Sequence, residues 1–341
     1  MELKRNKKYY QAISQISNKI LTIFKDNIFY NNTITKIYDN IIIENNNDIK
    51  IINIIDNKHH YKINVKLLNL PNLKILNCNN NLFDNITFNN VNNLLYIVIN
   101  NCGINDLNLS NIYNVENIEC TNNNISNINI SHLKNLKILN LSNNNIKNID
   151  LTNNKELNYL KLNCNKIKNI NLSNNLKLKY LNLDYNYLNE LDLSNNILLK
   201  HLSLMHNNFI NLYVNNLIKL EYLDCTENNI KLLELSKLIN LKELYITFNN
   251  IKNIDLSFLY NLEILDCDNN NLELLNITKL LNLKKIFLKC NKLVCNKEQF
   301  NNIDEYEIEY KECNDKLTNN KIINDYFEEV YYFNNKNEYF F

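Results

Sequence analysis

Nine cysteines and five histidines are the residues through which this chain could catalyse a reaction or hold a metal. A thiolate attacks or ligates only where its pKa is lowered and partners converge on it. Cys290, Cys295 and Cys313 form a loose C-terminal group, but a zinc site needs a fourth ligand, and the last histidine, His206, lies far upstream. His201 and His206 flank Met205 without a carboxylate or thiolate to complete a metal pair. No Ser-His-Asp order, glycine-rich phosphate loop or H-E-x-x-H string occurs. These residues predict no catalytic, cofactor-binding or metal-binding role, and the two histidines read as surface recognition groups.

A second set of residues points to binding. Tyr159, Tyr180, Tyr185, His201, Tyr222, Tyr245, Phe248 and Phe287 recur through the second half, interleaved with Asp184, Asp224, Glu227, Glu243, Asp266 and Asp268. Tyrosines gathered on one face are typical interface anchors. Acids among them favour a basic or amphipathic protein segment and repel phosphates. Arg5 is the only arginine and the formal charge is +1, so neither the Arg forks nor the basic surface of a nucleic-acid reader is present. No 18-residue apolar run marks a membrane span.

The spacing of these residues reveals the element that positions them. From Leu73, steps of 21 land on Leu94, Val115, Leu136, Leu157, Leu178, Leu199, Leu220, Leu241, Leu262 and Leu283. Numbering each unit from that residue, position 4 is Leu or Ile in all eleven units and position 6 is apolar or Cys. Position 9 is Asn in ten, Cys102 being the exception, and position 11 is Ile, Leu or Phe. Positions 14 and 16 are apolar in the first ten units. Positions 4 and 6 alternate as on a short strand with both side chains inward. A buried Asn at position 9 can bond the backbone of its own and the adjacent turn. Stepping back from Leu73 gives a weaker leading unit starting at Ile52, with Ile55 at position 4, Val65 and Leu67 at 14 and 16, and His60 in the Asn place. With one Gly and one Pro, the turns fall to Asn, about a quarter of the chain. Asn tolerates the left-handed conformation better than other non-Gly residues.

The pattern L-x-x-L-x-L-x-x-N-x-L in eleven tandem copies over residues 73–300 resembles the leucine-rich repeat. The second half of each unit, as in Leu188-Asn-Glu-Leu191-Asp-Leu193, repeats the first, which resembles the nested 21-residue subclass. The resemblance implies an α/β-type solenoid, mostly β: a curved array with a parallel concave sheet, short extended or 3₁₀ convex segments, and small N- and C-terminal caps. It also implies a non-enzymatic module that binds a protein on its concave face. There, positions 3, 5, 7 and 8 carry the aromatic and acidic residues named above. All of them except Glu227 are expected to bind directly.

The ends should cap the array, since a solenoid otherwise exposes its core. Ile13, Ile16, Ile20 and Phe24 predict one amphipathic helix within 8–25, with extended segments at 33–38, 41–44 and 49–55 and a turn at Asp39-Asn40. The expected divisions are an N-terminal cap at 1–51, the leading unit at 52–72, the array at 73–300 and an acidic, aromatic cap at 301–341. Within the last, 303–310 alternates as a strand and 321–333 reads as a helix. Residues 16–24 faintly resemble the start of an F-box, which implies an alternative role as a ubiquitin-ligase adaptor docking through residues 10–30. Cys313-Asn-Asp315 resembles the C-x-D string of bacterial leucine-rich-repeat ligases, without their large helical domain. Cys78, Cys120, Cys225 and Cys267 fall at position 6 and Cys102 at position 9, so at least five thiols belong in the core. The four at position 6 lie two or five coils apart, out of bonding range of one another, and core thiols of this kind predict a reducing compartment. No leader-like apolar stretch follows the N-terminus, so the expected location is cytoplasmic.

Overall fold

A computed structural model describes residues 11–14, 20–24, 34–37, 40–55, 62–293, 303–309 and 316–319. Three-residue strands at positions 3–5 of each unit stack in parallel, from Ile75–Asn77 to Ile264–Asp266, followed by the four-residue Lys285–Leu288. Each pairs with its neighbour at a shift of 21 residues, as in Tyr159↔Tyr180, Tyr180↔His201 and His201↔Tyr222. The shift matches the repeat length, so every position forms a column along the stack. Leu at positions 1 and 4 is buried from Leu73 and Leu76 onward, together with position 6. The core is thus one continuous column of Leu, Ile and Cys enclosed by the coils.

Asn at position 9 holds each corner as the sequence predicts. The Asn186 amide nitrogen lies 2.9 Å from Leu162 O, 3.1 Å from Leu183 O and 3.1 Å from Asp184 O. Its Oδ1 accepts the Ile167 N–H at 2.9 Å. Cys102 fills the same slot with its Sγ 2.9 Å from Cys78 O. The convex side consists of turns and short extended stretches, with no helix of any kind among the described residues. Successive turns close through bonds such as Leu136 N–H to Leu133 O at 3.2 Å. Strands Asn211–Tyr213 and Leu232–Glu234 pair on this side.

Two sequence expectations are corrected at the N-terminal end. Within the expected helix lie strands Gln11–Ser14 and Ile20–Phe24, antiparallel to each other. Ile20–Phe24 then runs parallel to Ile51–Ile55 and extends the main sheet. The apolar spacing of this stretch fits a helix, but Ile-Leu-Thr-Ile-Phe is rich in β-branched and aromatic residues, and an open sheet edge next to it supplies the pairing. The leading unit is also shifted. Ile52 pairs with Leu76, which makes Ile52 position 4 rather than 1, while Val65 pairs with Ile86 at the regular shift. Its first half is therefore offset by three residues, and the coil begins at the buried Ile49. His60 and Asp39 lie outside the described residues. Ile34–Ile37, Asn40–Glu44, Ile63–Leu68 and Phe83–Asn89 form a second sheet behind the first coils. At the other end, Glu305–Glu309 adds to Lys285–Leu288 in parallel and pairs with Lys316–Asn319 in antiparallel. The helix expected over 321–333 lies outside the described residues.

Candidate functional site

Register places Tyr159, Tyr180, His201 and Tyr222 at position 3 of consecutive coils, and their rings stack face to face. Centroids are 4.3 Å apart for Tyr159–Tyr180, 4.2 Å for Tyr180–His201 and 4.1 Å for His201–Tyr222. Tyr245, at position 5 of the next coil, tilts against Tyr222 at 5.5 Å and bonds Glu243 Oε2 through its hydroxyl at 3.0 Å. The three stacked spacings are shorter than ordinary strand separation, so Tyr159, Tyr180, His201 and Tyr222 touch along the column and are left half-buried, while Tyr245 is buried. Lys161 caps its start, with Nζ 5.7 Å from the Tyr159 centroid and 5.4 Å from that of Tyr180. Burial, then the Lys161 charge, pushes His201 down to about 4, so the ring is neutral at pH 7.

A second, shorter column stands at position 8. Tyr185 stacks on His206 at 4.7 Å, and His206 Nδ1 lies 2.7 Å from Glu227 Oε2. Phe248 follows, about half exposed, beside a shallow open depression that His206 and Glu227 also line. Position 8 has positive φ in all eleven coils, between 52° and 57°. In five of them the residue is Asn, as the conformation favours, and in the last coil it is Cys290. Cys164, Tyr185, His206, Glu227 and Phe248 occupy it in five consecutive coils. A bulky residue in this region costs about 1–2 kcal/mol. Residues held in such sparsely populated conformations concentrate at functional sites.

The acids divide by their hydrogen bonds. Asp184 accepts Ser203 Oγ–H at 2.6 Å, Met205 N–H at 2.8 Å and Asn182 Nδ2–H at 2.8 Å. Asp224 accepts Thr226 N–H at 2.9 Å, and Asp266 accepts Thr247 Oγ1–H at 2.6 Å. Burial, joined by the Asp184 charge, pushes Asp224 up to about 7. Burial likewise raises Asp184 and Asp266, against the hydrogen bonds that favour their charged forms. These three carboxylates brace turns of their own and adjacent coils. Asp268 bonds Lys289 N–H at 2.6 Å. By accessibility only Asp224 is buried, and Glu227 and Glu243 are partly exposed and bond side chains rather than turns, His206 and Tyr245 respectively.

Thirteen residues were expected to bind, and the structure joins five of them, Tyr159, Tyr180, His201, Tyr222 and Tyr245, in one column. Tyr185 and Phe248 share the neighbouring position-8 row. Phe287 lies on Lys285–Leu288, two coils beyond Tyr245. Lys161 and His206 complete the strip, and the shared column positions would have found both. His201 and His206 fall in different columns. Among the described residues no group of three or more His, Cys, Asp or Glu is placed to hold a metal. Burial raises Cys78, Cys120, Cys225 and Cys267 far above the usual thiol range, so these thiols are unreactive. Cys295 and Cys313 lie outside the described residues. The larger depression, about 590 Å³ and open, is on the convex side beside Asp106, His132 and Asp150, away from the strip.

Fold and strip together define a parallel β-solenoid that displays one ordered row of side chains per position along its sheet. InlJ of Listeria monocytogenes, whose functional domain includes a cysteine ladder, superposes with a TM-score of 0.63 at 24% identity, over 72% of this chain and 57% of that one. A leucine-rich-repeat protein of Leptospira interrogans gives 0.60 at 23%, over 72% and 74%. The plant peptide hormone receptor RGFR1, in complex with RGF2, gives 0.57 at 20%, over 77% and 55%. A scan of protein-family models and a search of curated proteins found no match. The chain has the leucine-rich-repeat fold, wound in coils of 21 residues.

Proposed function

We propose that this chain is a non-enzymatic recognition module that binds an extended protein segment along the concave strip of its fifth to tenth coils. One observation carries the reading: the stacked column and the run of non-Asn residues at position 8 occupy the same coils. The fold asks for Asn at position 8, so five departures in sequence indicate selection for what those side chains contact. Of the six acids across positions 3, 5, 7 and 8 of these coils, Asp184, Asp224 and Asp266 brace turns, which leaves Glu227, Glu243 and Asp268 against one lysine, Lys161. That balance suits an amphipathic segment with basic residues and disfavours phosphate. The tyrosine and histidine edges supply apolar contact with few rotamers to freeze. RGFR1 with bound RGF2 is a precedent for a peptide ligand on this fold. The buried free thiols fit a reducing compartment, and no helix of the described residues is long and apolar enough to cross a membrane. An adaptor role would need a docking helix where strands Gln11–Ser14 and Ile20–Phe24 lie.

The test is a tagged capture with mass spectrometry, comparing the wild type with a Tyr159→Ser, Tyr222→Ser, Phe248→Asn variant whose folding is verified by circular dichroism. Asp224 is left intact because it is buried and bonded. A protein recovered only by the wild type supports the reading. Recovery of the same proteins by both would overturn it.

A further inference from the structure

A second ordered row lies outside the concave strip. Position 20, in the turn that returns the chain to the next strand, is Leu176, Ile197, Ile218, Ile239, Tyr260 and Leu281 in six consecutive coils. All six are exposed, from 48% at Tyr260 to 89% at Leu281. Position 19 before it and position 1 of the next unit are buried throughout these coils, so the core does not need position 20 to be apolar. In the earlier coils the same position holds Asn92, Tyr113, Lys134 and Lys155, so the unbroken run begins only at Leu176. Five steps of about 4.8 Å make the row about 24 Å long. An exposed, contiguous apolar patch of this kind marks a contact with another molecule.

The neighbouring row identifies that molecule. Position 2 carries Lys200, Glu221, Lys242 and Glu263 in alternating sign. Within the chain, Glu221 pairs with Lys200 at 2.7 Å and with Lys242 at 2.9 Å. A two-fold interface requires one patch to complement itself. The apolar row is centred midway between Ile218 and Ile239. The charge row is centred midway between Glu221 and Lys242, three residues further along the chain from each. A two-fold axis through this common centre lays Ile218 against the partner's Ile239 and Ile197 against the partner's Tyr260. It also sets Lys200 opposite the partner's Glu263, and Glu221 opposite the partner's Lys242. At position 21 the axis matches Lys219 with the partner's Asn240 and Leu198 with the partner's Asn261, so no like charges meet there. The first like-charged pair, Lys179 with the partner's Lys284, falls at the outer end. A different protein as partner would not require the two rows to share a centre.

We propose that two copies of this chain associate antiparallel through the position-20 row. The interface leaves positions 3, 5, 7 and 8 free, so it stands or falls apart from the concave reading. Sedimentation velocity of the full chain between about 1 and about 100 μM should show a concentration-dependent dimer. Carbodiimide treatment should join Lys200 to Glu263. These residues lie three coils apart in one chain, about 14 Å, so a zero-length bond between them forms only across the axis. An Ile218→Glu, Ile239→Glu variant, verified as folded by its circular dichroism and melting curve, should be monomeric over the same range. A wild type that stays monomeric at about 100 μM overturns the proposal. So does a cross-linked dimer without the Lys200–Glu263 bond, or a double variant that dimerises like the wild type.

Discussion

The two N–H groups of the Asn186 amide are shared among three carbonyls, and its Oδ1 accepts one N–H from the preceding coil. Alanine in its place leaves those buried backbone groups unpaired, at a cost of about 1–3 kcal/mol. Asn189, exposed three residues later, should tolerate the same change within about 0.5 kcal/mol. Urea melts of the two variants make the comparison, and equal losses would contradict the assigned register. Asp224 gives a pH-dependent counterpart. Its folded pKa, raised by burial and the Asp184 charge to about 7, lies well above the unfolded carboxylate value. The folded state therefore holds more protons than the unfolded state between about pH 4 and pH 7. Stability is favoured at the lower end of that window and lost as pH rises through it. Asp224→Asn keeps an acceptor for the Thr226 N–H and removes the titration. The variant should gain up to a few kcal/mol over the wild type at pH 8 and little at pH 4. Melting curves at both pH values check this, and an unchanged pH profile would contradict it.

At the scale of the coil, the position-8 turn trades stability for surface. Its left-handed backbone is cheap for Asn143 and expensive for Tyr185 or Phe248, although all have φ between 52° and 55°. Phe248→Asn should stabilise the fold by about 1 kcal/mol while weakening capture of the concave partner, with a thermal melt and a binding assay as the paired readouts. If the melt did not rise, the side chain would be contributing to the fold itself. This trade was only half legible in the sequence. Register from Leu73 to Leu283 gave each coil's columns, and so which aromatics share one. It could not give the ring contacts, because stacking at about 4 Å depends on how neighbouring strands twist and close. Nor could it separate acids that brace turns, such as Asp184 and Asp266, from acids that face solvent. Burial and hydrogen bonding decide that, and both come from the adjacent coil rather than from local sequence.

The whole molecule is close to one-dimensional, since each coil bonds mainly to its two neighbours. This explains where sequence reading worked and where it failed. From Leu73 onward one position predicts the next 21 residues away, and the strands follow. Before it, Ile52 is offset by three residues and the repeat gives no template, so local apolar spacing suggested a helix. A long-range pairing, Ile20–Phe24 on Ile51–Ile55, took precedence. One-dimensionality also makes a prediction about the intact array. Removing residues 178–198 deletes one complete coil and keeps the register, because Lys177 is then followed by Leu199, which holds the same position as Leu178. The Asn at position 9 then still finds the carbonyls it needs, Asn207 meeting the coil of Leu162 in place of that of Leu183. The shortened chain should fold with the same circular dichroism and a modestly lower melting temperature. A deletion of residues 178–188, about half a coil, slips every following position across the core and should abolish cooperative unfolding. If both deletions behaved alike, the coils would not be the stability units that the 21-residue ladder defines.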